Sequence, residues 1–274
     1  MDRYIEEFKE SENKRGISNL TVHSYISDIK LFIKYLDKNE ITLTALDLAE
    51  AEEEVNNYVI YLLSNNYKAT SINRKILSIT KFLKFLNKEV HIDFLKIHKM
   101  QILENVITKD EINKLLEVCK SKRDRAIMLT LSKMGLRVSE LLELKVRDVA
   151  KSSVEFKGKR GKYRTVVVPA TVKEAWKEYL QVRPKTNAKQ LFVGKRGPIK
   201  RQAVNYMLLK YQKNSKVKRK KVHPHSFRHS CFKSLSDAGV GIEVIADIAG
   251  HESLDTTRIY TRRSKEELKK LMDM

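Results

Sequence analysis

Between Thr21 and Leu36 the apolar side chains fall at Tyr25, Ile29, Phe32, Ile33 and Leu36, steps of three and four that place them on one face of a helix. The same period recurs from Asn56 to Leu63, after an acidic turn, and from Thr70 to Leu86 through Ile72, Ile76, Ile79, Leu83 and Leu86. A short helix at Tyr4–Phe8 completes the set. Such stripes must be buried against one another, so residues 1–88 are expected to form a four-helix unit. Residues 89–106 lack strong periodicity and turn clusters, and they read as a connector.

A second unit is expected over 107–274. Thr108 and Glu111 are spaced as a capping box, in which each side chain satisfies the other's backbone amide. Helices are expected at about 109–120, 123–134 and 138–144. Ser153–Phe156 and Arg164–Val168 are β-rich and are joined across Gly158-Lys159-Arg160-Gly161, which reads as a hairpin. Helices near 171–182, 201–213, 226–238, 241–249 and 264–272 follow. The expected fold class is mainly α, with one small β-sheet in the second unit.

Charge is distributed unevenly. Lys and Arg number 55 against 34 Asp and Glu, a net charge of +21. Residues 1–100 hold 15 basic and 15 acidic side chains, whereas residues 151–250 hold 24 and 6. A block of +18 repels itself, so a polyanion such as nucleic acid is its natural partner. No stretch approaches the roughly 18–20 apolar residues of a membrane span, and the N-terminus has no apolar signal region. A soluble cytoplasmic protein without a membrane partner is expected. Cys119 and Cys231 alone provide neither a disulfide scaffold nor a Cys-rich zinc site.

Several chemistries lack their residues. The basic block contains only the dispersed carboxylates Glu155, Glu174, Glu178, Asp237, Glu243 and Asp247, without the cluster a two-metal nuclease needs. There is no Gly-x-x-x-x-Gly-Lys-Ser/Thr loop for a nucleoside triphosphate. His225 and His229 are four apart, but Arg228 lies between them and no Glu follows His225, so no metal is expected. No cofactor is expected either.

What the chain does offer is a series of cations and imidazoles beside turns. Arg137 lies in Gly135-Leu-Arg-Val-Ser-Glu140-Leu, with Glu140 one helical turn on and able to hold it. His225 and Arg228 share a face in Pro224-His-Ser-Phe-Arg-His229. Gly250-His251 is followed nine positions later by Tyr260. In this order the motifs resemble the tyrosine recombinase family, which includes Xer recombinases and phage integrases. Gly158-Lys159-Arg160-Gly161-Lys162-Tyr163-Arg164, running into Val168-Pro169, looks like the family's lysine hairpin. Thr21-Val-His-Ser-Tyr25 and Lys68-Ala-Thr-Ser71 resemble its N-terminal helical core-binding domain, a SAM-like four-helix unit that clamps DNA.

The resemblance implies a site of Arg137, Lys159, His225, Arg228, His251 and Tyr260, supported by Glu140. A phosphodiester in its transition state concentrates charge on oxygens that the forked donors of Arg137 and Arg228 suit. Tyr260 would be the nucleophile that forms the 3′-phosphotyrosyl intermediate. His225 would be the base or orienting group, Lys159 the acid for the departing 5′-oxygen, and His251 a donor to phosphate. Candidate DNA contacts are Arg160, Lys162, Arg164, Lys218, Arg219, Lys220, Lys68 and Arg74. The family plan further implies double-stranded DNA as substrate, a Holliday junction, and a homotetramer in which the tail, with Leu268, Leu271 and Met272 on one face, docks on a neighbouring subunit. An Xer-like role in resolving chromosome dimers, with a possible translocase partner on the nucleoid, is the expectation. A mobile-element integrase, a type IB topoisomerase or a non-catalytic DNA-binding protein on this fold are the alternatives.

Overall fold

The computed structural model describes residues 1–97, 106–157, 163–218, 222–251, 253–262, 269 and 272–273. The chain divides into two compact units, Met1–Lys99 and Met100–Met274. Its architecture is mainly α.

The first unit contains α1 (Asp2–Lys14), α2 (Asn19–Lys38), α3 (Leu48–Ser64) and α4 (Ala69–Phe85). The stripes read from the sequence meet in one core, which includes Ile5, Phe8, Ile29, Phe32, Leu36, Val55, Tyr58, Leu62, Ile72, Ile76, Ile79 and Phe82. Two helices are longer than their apolar residues suggest. α1 runs to Lys14 and buries Glu12, whose carboxylate pairs with Arg15 at 3.0 Å. α3 begins at Leu48 because Asp47 and Glu50 form a capping box, each side chain accepting from the other's backbone amide at 2.8 Å.

α2, α3 and α4 all end without glycine. Glu40, Asn66 and Asn87 take left-handed backbone conformations at φ of 60°, 58° and 61°. Each is followed by an amide that bonds back to Leu36, Leu62 or Leu83, so the last carbonyls are satisfied. Beneath the core-facing side of α2, Asp28 is fully buried. It accepts from Arg74 Nη2 at 2.9 Å, Lys75 Nζ at 3.0 Å and Ser78 Oγ at 3.0 Å. The first part of the expected connector belongs to this unit: Val90 is buried, and Leu95 exchanges two 2.9 Å hydrogen bonds with the Asn73 side chain.

The second unit opens with α5 (Lys109–Glu117), capped by Thr108 and Glu111 as the spacing requires. α6 (Lys122–Met134), α7 (Val138–Glu143) and a 3-10 turn at Val146–Ala150 follow. β1 (Ser153–Lys157) pairs antiparallel with β2 (Tyr163–Val167), with Phe156 opposite Arg164. Then come α8 (Ala170–Leu180), a two-residue hairpin of β3 (Val193–Gly194) and β4 (Gly197–Pro198), α9 (Arg201–Asn214), α10 (Pro224–Asp237), α11 (Ile242–Ala249), α12 (Leu254–Thr257) and a 3-10 turn at Arg258–Tyr260. The helix expected at 264–272 lies outside the described residues, apart from the isolated positions given above.

α6 is the central rod. It is buried through Ala126, Ile127, Leu131 and Met134, and Thr130 accepts a 2.8 Å bond from Trp176 of α8. α10 packs across α6 and carries Phe232 into a smaller core with Ile245, Ala249 and Tyr260. This smaller core brings the three sequence motifs of the second unit together.

Candidate active site

The site is built on two helix ends that need glycine. α6 stops at Gly135 (φ +57°), which lets the chain reverse so that Arg137 becomes the N-cap residue of α7. A Cβ on Gly135 would lie 2.8 Å from Phe232 Cζ. α11 stops at Gly250 (φ +62°), which places His251 beside α10, and a Cβ there would lie 2.6 Å from Arg164 Cδ. Both turns combine positive φ with a close approach that a side chain would obstruct.

Glu140, one turn into α7, organises the cations. Its Oε2 accepts from the Arg137 backbone amide at 2.6 Å and from Arg164 Nη2 at 2.6 Å. Its Oε1 accepts from Arg137 Nη1 at 3.0 Å and Arg164 Nε at 3.2 Å. Burial alone would raise its pKa, but hydrogen bonding and charge from Arg164, then from Arg137, outweigh this and hold the carboxyl below its ordinary value. Arg137 remains 43% exposed in its side chain and also donates to Gly250 O at 3.3 Å.

Arg228 is buried on α10. It donates to Gly135 O and to Ala249 O, both at 2.6 Å, and its guanidinium lies 4.7 Å from the centre of the Phe232 ring. It therefore ties together the ends of α6 and α11. Burial, then the charges of Arg137 and Arg164, push its pKa down to about 10. Among the described residues, three guanidiniums share this region with the carboxylate of Glu140. Positive charge is in excess, and an anion placed among these groups relieves the repulsion.

Burial and neighbouring positive charge favour the neutral form of His225, His229 and His251. His225 reaches the surface, with its ring 4.2 Å from that of His229. Burial, followed by the charges of His223, Arg228 and Arg137, lowers its pKa. His251 Nε2 is 3.3 Å from Arg228 Nη2, and its Nδ1 is 2.9 Å from Thr257 Oγ1. A guanidinium only donates, so Nε2 accepts and Nδ1–H donates to Thr257. For His251 to donate to a phosphate from Nε2, it must release Arg228 and move its proton to that nitrogen.

His229 and His251 each have a pKa lowered to about 4, first by burial and then by neighbouring positive groups. A histidine whose folded pKa is depressed binds fewer protons folded than unfolded between that value and 6.5. Stability is therefore lost as pH falls from about 6.5 towards 4, by a few kcal/mol for the two together after allowance for their partial exposure. Thermal melts at pH 7, 5.5 and 4.5 are expected to show this decline, and His251→Asn to flatten it.

Tyr260 is 2% exposed. Its ring lies 5.2 Å from Phe232, 5.3 Å from His229 and 5.9 Å from His251, almost parallel to the last. Burial raises the phenol pKa, while the charge and hydrogen bonding of Arg228, then the charge of Arg137, oppose the rise. The structure thus brings Arg137, Glu140, His225, Arg228, His251 and Tyr260 into one cluster.

Two sequence candidates for DNA contact have other duties. Arg164 is buried, 8% exposed in its side chain, because it alternates with Val166 on the inward face of β2 and with Val168 just beyond it. Its guanidinium is held by Glu140 and by Ile248 O, so it is not on a DNA-facing surface. The period-two pattern Arg164-x-Val166-x-Val168 was the available signal. Arg74, 47% exposed in its side chain, grips Asp28 and Ser24 and neutralises a buried carboxylate. Lys68 and Lys218 are exposed. Lys159, Arg160, Lys162, Arg219 and Lys220 lie outside the described residues. Thr257, which accepts from His251 Nδ1–H, carried no sequence signal.

No described helix is long and apolar enough to cross a membrane, and no metal-ligating cluster occurs among the described residues.

The Phage integrase family model matches residues 105–267, and the Phage integrase, N-terminal SAM-like domain model matches residues 4–90. Tyrosine recombinase XerC of Staphylococcus saprophyticus is 30% identical, over 94% of this chain and 91% of that protein. Tyrosine recombinase XerD of Rickettsia bellii is 30% identical over 94% and 93%. A tyrosine recombinase of Pseudothermotoga lettingae is 32% identical over 95% and 93%. Among solved structures, XerA recombinase is similar with a TM-score of 0.56 and 27% identity, covering 99% of this chain and 97% of that one. XerH site-specific recombinase, bound to a palindromic difH substrate in a post-cleavage complex, has a TM-score of 0.74, with coverage of 95% and 81%; at 21% identity this likeness concerns the fold. With both domain models matched in order, the chain belongs to the phage integrase family and is a tyrosine recombinase.

Proposed function

We propose that this recombinase cuts and rejoins double-stranded DNA at a specific site through a 3′-phosphotyrosyl intermediate on Tyr260 and a Holliday junction, in an Xer-type role resolving chromosome dimers. The observation that carries this reading is the gathering of Arg137, Arg228, His225 and His251 around buried Tyr260, with positive charge in excess among the described residues. Arg137, the exposed guanidinium, and Arg228 receive the non-bridging oxygens. Neutral His225 takes up or orients the phenol proton, and His251 donates to phosphate once it leaves Arg228. Lys159 is proposed as the acid for the 5′-oxygen from its sequence motif.

The ester to Tyr260 retains the energy of the broken phosphodiester, so resealing by a 5′-hydroxyl requires neither ATP nor metal. The Xer role is supported by relatives named XerC and XerD that align over most of their own length. A DNA site as partner is supported by the DNA-bound XerH complex, and assembly into a tetramer with exchanged tails by the family plan. Action on the nucleoid, with a translocase as a possible partner, completes this reading.

The test is covalent capture. Wild type and Tyr260→Phe are incubated in EDTA with nicked fragments of the source organism's genome, including its replication terminus, and resolved on denaturing gels. Wild type is expected to give a protein–DNA adduct, and Tyr260→Phe none. An adduct that survives in Tyr260→Phe removes Tyr260 from its role. Adduct on fragments remote from the terminus alone removes the chromosome-dimer role.

A further inference from the structure

We infer that Arg164 is a positioning residue for strand cleavage: it fixes Glu140 from the buried side so that Arg137 is held from the exposed side, and it locks the turn that presents His251. The inference rests on the proposed reading of the site. Its geometry is that of a three-way cross-link. From β2 the guanidinium donates through Nε and Nη2 to both oxygens of Glu140 on α7, at 3.2 and 2.6 Å, and through Nη1 to Ile248 O near the end of α11. The side-chain stem passes so close to Gly250 that a Cβ there would sit 2.6 Å from Arg164 Cδ. The bend before His251 is thus shaped around this arginine.

Glu140 stands between two guanidiniums of opposite exposure. Arg164 has 8% of its side chain exposed and Arg137 has 43%. Only Arg137 can meet a substrate oxygen from this position, and the carboxylate that orients it has its own rotamer fixed by the fork of Arg164. Lysine at 164 retains the charge but cannot reach both oxygens of Glu140 and the Ile248 carbonyl as a planar fork does. The arginine also anchors the second strand of the β1–β2 hairpin to the site, since Arg164 pairs with Phe156 across the sheet.

The experiment uses the full chain and whichever nicked genomic fragment gives an adduct with wild type. Single-turnover adduct formation and fragment binding are measured for Arg164→Lys, Arg164→Met, Arg137→Lys and the Arg137→Lys/Arg164→Lys pair. By analogy with the outer partners of metal ligands, Arg164→Met is expected to cleave about 100-fold more slowly and Arg164→Lys about 10-fold, with affinity for the fragment within about threefold of wild type. Because the Glu140-mediated effect of Arg164 passes through Arg137, whereas its hold on the Ile248 carbonyl does not, the double variant is expected to lose clearly less than the product of the two single losses.

Cleavage by Arg164→Lys at the wild-type rate, fully multiplicative losses in the double variant, or a parallel loss of DNA affinity would each overturn the inference. Arg164→Met leaves Glu140 with less charge compensation, so melts are recorded for every variant. If Arg164→Met does not fold, Arg164→Lys and the pair decide. Unfolding of Arg164→Lys at 25 °C would assign the residue to stability instead and end the proposal. Wild type that forms no adduct sinks the reading of the site and this inference with it, whereas wild type and Arg164 variants that cleave equally sink only the inference.

Discussion

Arg228→Ala is expected to slow single-turnover adduct formation by about 10²–10³-fold, the range seen when one preorganised donor to a developing oxyanion is removed. The loss has two sources. The proposed forked donor to the phosphate disappears, and so does the tie between Gly135 O and Ala249 O, which holds the ends of α6 and α11 at the site. Leaving two inward-facing carbonyls unpaired costs about 1–3 kcal/mol each, less where water enters the space left behind. Melting and cleavage should therefore both change. Arg228→Lys separates the two, since an ammonium keeps the charge but cannot span both carbonyls; it should melt above Arg228→Ala yet cleave far more slowly than wild type. Cleavage by Arg228→Ala within tenfold of wild type would remove Arg228 from the phosphate.

Glu140→Ala is expected to destabilise the second unit by about 3–5 kcal/mol, the usual consequence of removing one partner from a buried charge cluster. Four donors lose their acceptor at once: the Arg137 backbone amide, the Arg137 guanidinium, and two nitrogens of Arg164. Three guanidiniums then repel one another without a carboxylate among them. For a unit of this size the melting temperature should fall by roughly 10 °C. Inorganic sulfate should recover part of that fall, more than it does in wild type, because an anion substitutes for the missing charge. The contribution of Glu140 also has a pH signature. Its folded pKa lies below the unfolded value, so its stabilisation is present above about pH 4.5 and is lost as pH falls through the folded pKa. Glu140→Ala should be less sensitive to acid in that window. A variant as stable as wild type would show that the cluster contributes nothing to the fold.

Much of this molecule is legible in its sequence because helix stripes and capping boxes are local signals. The cores of α2 and α4, the Thr108–Glu111 cap and the β1–β2 hairpin follow from short-range spacing. What remained hidden was buried charge. Glu12 and Asp28 look like solvent-facing residues until Lys81, Arg74 and Lys75 are brought to them by tertiary packing. The acidic run before Asn56 reads as a turn, yet it forms the first turns of α3 because Asp47 caps the helix. Arg164 sits in a basic hairpin whose charge suggests a polyanion, while its position on an alternating strand turns it inward. For Glu12, Asp28 and Arg164 the residue itself was visible and its partner, tens of residues away, was not. The site itself depends on motif order, since nothing in the spacing of Arg137, Arg228 and Tyr260 brings them within reach of one another.

The enclosure of Tyr260 has a consequence for accuracy. On the proposed reading, a phenol 2% exposed and boxed by Phe232, His229 and His251 has to leave that box before its oxygen can approach a phosphorus atom. The observed rate of strand breakage is then the intrinsic rate multiplied by the fraction of molecules with the ring released, and every 1.4 kcal/mol of closure removes about a factor of ten. A genome presents about 10⁶–10⁹ wrong sites to any DNA-binding protein. If only the specific site releases the ring, encounters that supply electrostatic attraction alone leave the strand intact. Protection against stray breaks is thus written into the packing of one small core, and a substitution that loosens it should raise background nicking even as it makes the nucleophile easier to reach.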